Sequence, residues 1–153
     1  MSAAERLAAL GVALPPVTAP VAAYVPAVRT GGYVYVSGQV PVADGKLAAT
    51  GKVGAEVTAE DAAGMARTCA LNAIAAAAEA AGGLDRVRRI VKVVGFVASA
   101  PGFSGQPQVI NGASELLIEV FGEDGRHARS AIGVAELPLN APVEVEMIVE
   151  VRD

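Results

Sequence analysis

Hydrophobic and polar residues follow two different periods along this chain, and each period predicts one kind of element. The segment 143–151 alternates: every second residue is apolar, and glutamates occupy three of the four intervening positions. Such alternation predicts a strand with one buried face. The β-branched and aromatic segment 33–37 predicts another strand, which continues towards Pro41. The segment 90–97 is apolar at almost every position, which is typical of a central strand covered on both faces.

Two long helices are predicted between these strands. Thr58 followed by Asp61 is an N-capping pattern, and Gly82-Gly83 ends the helix that it begins, over about 59–81. The buried stripe of this helix is Ala62, Met65, Cys69, Ala73 and Ala76. A second helix is predicted over 107–121. Its apolar stripe is Val109, Ala113, Leu116, Leu117 and Val120.

The remaining N-terminal residues predict little regular structure. Ser2 and Glu5 form a capping box for a short helix over 2–10, and the proline-punctuated segment 14–27 is irregular. Asp44-Gly45 marks a turn before a short extended piece.

The order of elements is therefore strands, helix, strand, helix, strand, strand, with no internal repeat and no domain boundary. We predict an α+β fold in one domain over residues 1–153, with a mixed sheet and two long helices on one face. Because the strand 90–97 is apolar towards the other face as well, we expect the protein to self-associate.

Composition excludes several classes of protein. Hydrophobic residues make up 53% of the chain, but no apolar run approaches the ~20 residues of a spanning helix. Early charges and prolines argue against a signal peptide, so we predict a cytoplasmic protein. The net charge of −4 argues against nucleic acid as the main partner. Cys69 and His127 are the only cysteine and histidine, which excludes an intrachain disulfide and argues against a metal site.

The candidate chemistry is concentrated in residues 127–138 and 143–146, which we predict to be a hairpin of two strands. Arg129 opens the first strand, and Glu144 and Glu146 share one face of the second. A guanidinium matches a carboxylate at two points, so Arg129 either binds an acidic ligand or pairs with a neighbouring glutamate. Glu144 either orients water and transfers protons or is a solvent-facing strand glutamate, and nothing intrinsic separates it from Glu146.

Two motifs resemble signatures of one known family. Tyr33-Val-Tyr-Val-Ser-Gly-Gln-Val-Pro41 is similar to the "strand–SGQ–apolar–P" signature of the YjgF/RidA family, the reactive intermediate deaminases. Ala128-Arg129-Ser130, with Leu137-Pro138 and Val143-Glu144-Val145-Glu146, resembles the C-terminal signature of the same family. Asn111 resembles an asparagine that precedes the second helix, and the order of elements agrees over residues 20–152.

The resemblance implies a chorismate mutase-like fold, a homotrimer and a cleft between each pair of subunits. It implies hydrolysis of small enamines or imines to 2-oxo acids and ammonia, without cofactor or metal. By motif position, Arg129 pairs with the substrate carboxylate and Glu144 holds and activates the attacking water. The other residues that the resemblance places at the substrate are Tyr24, Ser37, Gly38, Ala131 and Asn111.

Three positions depart from the family pattern. Ala131 replaces a frequent cysteine, His127 replaces a usual proline, and residues 1–20 form an unusual N-terminal extension. His127 is either merely solvent-exposed or an extra proton carrier beside the cleft. Tyr24 either closes the cleft or is an amphipathic surface or interface tyrosine.

Two other functions stay open from the sequence. The chain could be a non-catalytic trimeric protein that holds a small carboxylate, in which Arg129 matters and Glu144 does not. It could also have the endoribonuclease or translation-inhibitor activity of some family members, although the acidic charge argues against RNA. The basic cluster Arg86, Arg88 and Arg89 is either a solvated corner or an RNA contact.

Overall fold

The structure, a computed structural model, describes residues 1–153 and contains three helices and seven strands. The helices are α1 (Ala3–Ala9), α2 (Ala59–Ala81) and α3 (Gln106–Phe121). The strands are β1 (Ala27–Thr30), β2 (Tyr33–Gln39), β3 (Val42–Ala43), β4 (Lys46–Leu47), β5 (Val87–Ala98), β6 (Ala128–Val134) and β7 (Val143–Val151). The prediction of two long helices, a short N-terminal helix and the main strands is confirmed. The short edge strand β1 was not predicted, because it directly follows the prolines that indicate irregular structure.

Five strands form one mixed sheet in the order β1-β2-β7-β5-β6, in which only β5 and β6 are parallel. The predicted hairpin of β6 and β7 is wrong, since β5 lies between them and pairs with both. The linker 135–142 therefore crosses over the end of β5. β5 is apolar on both faces, so it is favoured inside the sheet, whereas β6 takes the edge.

Helices α2 and α3 cover one face of the sheet, as predicted. The Thr58 hydroxyl accepts a hydrogen bond from the Asp61 amide at the start of α2, and Gly82 ends it in the left-handed conformation. Both predicted apolar stripes are buried. The alternate residues of β7 that face the helices are buried too, from Val143 to Val151. The hydrophobic core thus lies between the helices and one face of the sheet.

No element of the chain covers the opposite face of the sheet, which we call the open face. It carries apolar side chains from all five strands of the sheet: Val28, Tyr35, Ile148 and Ile132 lie there, with Phe96 half-buried among them. Val28, Tyr35 and Ile132 are 52%, 48% and 44% exposed. An exposed apolar surface of this kind is typical of a face that binds another protein.

The N-terminal extension is part of the domain. The capping box of Ser2 and Glu5 is present, as predicted. Leu7 is buried in the core, and the Ala4 amide donates a hydrogen bond to Asp85 after α2. Helix α1 therefore closes one end of the core. None of the helices is both long enough and apolar enough to span a membrane.

Candidate functional site

Arg129 lies on the edge strand β6 and faces the helix side of the sheet, beside α3. One of its terminal nitrogens, Nη1, donates to Asn111 Oδ1 at 2.7 Å and to Ser114 Oγ at 3.2 Å. Nη2 makes a longer contact of 3.4 Å with the Pro107 carbonyl oxygen. All these acceptors are neutral, so they orient the guanidinium without neutralising its charge.

The charge of Arg129 has no partner within the chain. The four salt bridges of the structure join other residues, and no carboxylate lies within 4 Å of this guanidinium. The alternative prediction of an ion pair with a neighbouring glutamate is therefore wrong. Nε makes no hydrogen bond in the chain, so the edge formed by Nε and Nη2 can receive an anion at two points.

Asn111 lies within α3, one turn and a half from its start, which agrees with the predicted helix over 107–121 and not with the position before the helix that the family motif suggests. There it neither begins nor caps the helix, and its side-chain oxygen holds Arg129 instead. Ala131 follows on the same side of β6, in register with Gly95, and its methyl group packs against the core.

Ser114 is a contact of Arg129 that the sequence reasoning missed. It lies three residues after Asn111, so both project from the same side of α3. That spacing is the signal in the sequence, and it lies outside the apolar stripe of α3. His127 extends this cluster, because its ring lies 2.9 Å from the Ser114 hydroxyl.

Glu144 lies on β7 and points to the open face. Its carboxylate fills the space above Gly38, where a β-carbon would overlap Glu144 Oε1. Gly38 belongs to an irregularity in the pairing of β2 with β7, where the register shifts between Val36 and Gln39. The absence of a side chain at Gly38 permits a close approach, and what approaches it within the chain is this carboxylate.

Burial raises the pKa of Glu144, and the neighbouring negative charge of Glu146 raises it further. No hydrogen bond or salt bridge in the chain stabilises this carboxylate. A half-buried acid without a cation holds its proton more readily than an ordinary surface glutamate. Such a group is suited to exchange protons with a ligand nearer neutral pH.

Ser37 shapes the backbone next to Gly38 and is not arranged as a nucleophile. Its hydroxyl donates to the Val25 carbonyl oxygen at 2.6 Å, and its amide donates to Pro26 at 2.9 Å. These bonds hold the segment that carries Tyr24 against the end of β2. The Tyr24 side chain is 56% exposed, so its aromatic ring projects from the surface.

The predicted site residues therefore fall into two groups on opposite faces of the sheet. We call Arg129, Asn111 and Ala131 the arginine half-site, and Glu144, Gly38, Ser37 and Tyr24 the glutamate half-site. β6 and β7 are two strand spacings apart, or about 10 Å. Arg129 is in register with Val93, which is buried beneath the helices, whereas Glu144 is in register with Phe96 on the open face.

Within one copy of the chain, Arg129 and Glu144 therefore face opposite sides of the sheet. The idea that a local hairpin supplies all the chemistry is wrong for the same reason. No three His, Cys, Asp or Glu side chains converge as a metal site requires. Cys69 is fully buried on α2, and burial raises the pKa of its thiol well above its usual value.

The basic cluster after α2 is a solvent-exposed corner in this structure. Arg86, Arg88 and Arg89 are all exposed, and Arg88 forms a salt bridge of 3.1 Å with Glu150. Glu150 thus has a structural partner, unlike Glu144.

Comparisons with known proteins agree with this fold over the whole chain. Protein TCP17 of Trypanosoma cruzi is 46% identical over 151 residues, which cover 98% of this chain and 94% of TCP17. The crystal structure of protein Atu1372 from Agrobacterium tumefaciens is 47% identical, with a TM-score of 0.89 and coverage of 99% and 94%. TdcF of E. coli, solved with bound serine, is 28% identical, with a TM-score of 0.62 and coverage of 90% of this chain and 94% of TdcF.

The share of this chain that is matched differs between these relatives. Atu1372 matches almost all of this chain, whereas TdcF matches 90% of it. A family model described as "YjgF/chorismate mutase-like, putative endoribonuclease" matches residues 4–151, which includes most of α1. The chain therefore belongs to the YjgF/chorismate mutase-like family.

Proposed function

We propose that this protein hydrolyses small enamines or imines that carry a carboxylate, and releases a 2-oxo acid and ammonia. The reaction would take place in a homotrimer, in clefts where the arginine half-site of one copy meets the glutamate half-site of its neighbour. In each cleft, water adds to the carbon of the C=N bond and the resulting carbinolamine expels ammonia. The products contain all the atoms of the imine and one water.

The observation that carries this proposal is the unpartnered guanidinium of Arg129. Three neutral acceptors orient it, and no carboxylate of the chain neutralises it. A half-buried arginine held in this way retains the N–H of Nε and one of the two N–H groups of Nη2 for a planar anion, since the 3.4 Å contact with Pro107 occupies only the other. A small carboxylate fits that pair of donors, and it is the group that the substrate would use for binding.

The unpartnered carboxylate of Glu144 supplies the complementary group. It would take a proton from the attacking water and return one to the leaving nitrogen, which is general acid–base catalysis. Its raised pKa supports this role, because a proton carrier works best when its pKa approaches the ambient pH. Metal or cofactor chemistry is not needed for either transfer.

Two observations support a site shared between copies. The half-sites lie on opposite faces within one chain, so a second copy has to supply the missing half. The open face also carries exposed apolar side chains on the three strands β1, β2 and β6, which association would bury. The relative TdcF was solved with serine, which is itself a small carboxylate. The proposal of three copies in the oligomer rests on the resemblance to the YjgF/RidA family.

The first prediction concerns this shared site and uses two inactive variants. We expect Arg129→Ala to lower kcat/KM about a hundredfold by removing charge-assisted bonds to the substrate. We expect Glu144→Gln to lower kcat about a hundredfold or more by removing the proton carrier. The assay generates 2-aminoacrylate in situ and follows the release of pyruvate and ammonia.

Co-expression of the two variants distinguishes a shared site from a site within one copy. Mixed oligomers contain clefts in which Arg129 of one variant meets Glu144 of the other, in about a quarter of all clefts for random mixing. We expect activity to return to that level, and no recovery would contradict a shared cleft. Arg67→Ala is the matched control, because Arg67 is also a half-exposed arginine but pairs with Glu119 on the helix layer.

The same variants test the non-catalytic alternative, which the Arg129 geometry also permits. A pure binding protein would bind pyruvate in an Arg129-dependent manner, would not accelerate imine hydrolysis, and would keep its affinity in Glu144→Gln. Acceleration by the wild-type protein that Glu144→Gln abolishes would exclude this alternative.

A further inference from the structure

His127 is the only histidine of the chain, and the reaction proposed above leaves it without a role. It directly precedes β6 and is half-buried between that strand and α3. Its Nδ1 lies 2.6 Å from the Gly125 carbonyl oxygen, and its Nε2 lies 2.9 Å from Ser114 Oγ. Both ring nitrogens therefore have a partner within the protein.

The chemistry of these partners determines the direction of each hydrogen bond. A carbonyl oxygen only accepts, so Nδ1 has to carry the proton that it shares with Gly125. In the neutral ring Nε2 is then an acceptor, and the Ser114 hydroxyl donates to it. This leaves the lone pairs of Ser114 Oγ free to accept from Arg129 Nη1 at 3.2 Å. The four groups form one directed chain of hydrogen bonds, which starts at the Arg129 guanidinium as first donor and ends at the Gly125 carbonyl oxygen as final acceptor.

This chain determines which edge of Arg129 remains free. Nη1 has two N–H groups, and it donates one to Asn111 and the other to Ser114. If the Ser114 hydroxyl turned away, Nη1 would regain a free donor and the guanidinium could rotate. With both donors of Nη1 occupied, the Nε and Nη2 edge is the one presented to a ligand.

We propose that His127 is a positioning residue that orients the Arg129 guanidinium through Ser114, so that its Nε and Nη2 edge receives the substrate carboxylate. This role rests on the proposed function, since it assumes that Arg129 binds the substrate. His127 itself touches no substrate. This positioning role accounts for the histidine at position 127, where the family pattern has a proline.

The surroundings of the ring favour the neutral form on which this chain of hydrogen bonds is built. Burial lowers the pKa of His127, and the charge of Arg129 lowers it as well, against the opposing effect of the Gly125 carbonyl. The shallow depression beside the ring is lined by Arg126, by Arg89 from β5 and by Glu150 from β7, whose carboxylate pairs with Arg88. α3 contributes the neutral Ser114.

The experiment combines ligand affinity with a spectroscopic readout, on the intact oligomer. We would measure the Kd of pyruvate by calorimetry, and KM and kcat with in situ 2-aminoacrylate. We expect His127→Ala and Ser114→Ala each to raise Kd and KM about fivefold, with kcat little changed, since each removes one ordinary hydrogen bond from the chain. The double variant should bind pyruvate no more weakly than the weaker-binding single variant, because both side chains act through the same hydrogen bond between Ser114 and Arg129.

Two further variants separate positioning from general damage. His127→Gln keeps an acceptor near the position of Nε2, so we expect it to restore most of the affinity. Arg126→Ala is the matched control, because Arg126 is the exposed neighbour of His127 and pairs only with Glu123. Thermal unfolding of each variant monitors the fold. Wild-type affinity in His127→Ala, or additive losses in the double variant, would overturn the proposal.

The ring tautomer gives a readout that does not depend on any variant. Because the protein has one histidine, its ¹⁵N resonances are unambiguous. We expect the Nδ1–H tautomer at neutral pH, and an Nε2–H tautomer or a protonated ring would overturn the proposal. The Arg129→Ala variant distinguishes failure of the proposed function from failure of the positioning role of His127. Unchanged pyruvate affinity in Arg129→Ala would contradict the proposed function, whereas loss in Arg129→Ala without loss in the His127 and Ser114 variants would contradict only the positioning role.

Discussion

At the scale of single residues, the proposed site depends on the charges of Arg129 and Glu144. The residue types at positions 129 and 144 suggested an anion-binding group and a proton carrier, and the family signature separated Glu144 from Glu146. The sequence did not show that Arg129 lacks an acidic partner, since this depends on which side chains the fold brings within 4 Å. It also did not show Ser114, because a hydroxyl on a helix surface is common and becomes informative only beside Arg129.

The second prediction concerns a single residue, Glu144, and the effect of its charge on the stability of the folded protein. Its pKa is raised because burial and Glu146 disfavour the charged form in the folded protein. The contribution of this group to stability is therefore full below its ordinary value of 4.5 and is lost as the pH rises through the raised value. We expect Glu144→Gln, which stays neutral, to unfold at a higher temperature than wild type at neutral pH.

Thermal unfolding over a series of pH values checks this sign. The advantage of Glu144→Gln should shrink and vanish as the pH falls through 4.5. Glu150→Gln is the control, because it loses the salt bridge with Arg88 and gains no such relief. A Glu144→Gln variant that is less stable than wild type at neutral pH would contradict the assignment.

At the scale of elements, the two long helices are held together by small residues. Gly112 of α3 lies against the Ala63 carbonyl of α2 so closely that a β-carbon would overlap that oxygen. The sequence predicted the bounds, cap and buried stripe of α2, because these depend on residues a few positions apart. It did not indicate that the closest contact joins the two helices.

The third prediction uses this contact. We expect Gly112→Ala to destabilise the protein by about 1–3 kcal/mol, because the backbone of α2 has to move away from the added methyl group. Gly64→Ala is the matched control in α2, where a β-carbon would meet nothing within 4 Å. It should stabilise the protein by about 1 kcal/mol, since alanine is the better helix former. Denaturant unfolding measures both, and similar stability of the two variants would show that the helices separate easily here.

At the scale of the whole molecule, the proposed association of several copies would explain both the exposed open face and the separation of the two half-sites. The sequence predicted an apolar second face from the strand 90–97. The structure adds that this face also carries Glu144, while Arg129 lies across the sheet at the β6 edge. A monomer would leave the apolar surface in water and the two half-sites apart.

The fourth prediction tests the open face directly. Ile148 lies there between Tyr35 of β2 and Lys92 of β5. We expect Ile148→Lys to reduce the mass in solution from three chains to one 15.3 kDa chain and to abolish imine hydrolysis, because a buried unpaired charge is costly at an interface. Light scattering after gel filtration measures the mass.

Ile118→Lys provides the comparison for this variant. Ile118 is 39% exposed on α3, away from the open face, so the same substitution there should leave the mass unchanged. A wild-type protein that is a monomer at working concentration would contradict the shared site and the function that depends on it.

The amino-acid sequence by itself determined the types and approximate bounds of the main elements, because periodicity, caps and turn residues act over a few positions. It also determined the family, through two motifs whose residues lie near one another in the chain. The tertiary structure alone decided that β5 separates β6 from β7, and with it that Arg129 and Glu144 lie on opposite faces. Strand order depends on which surfaces the whole chain can bury together, so no local pattern contains it.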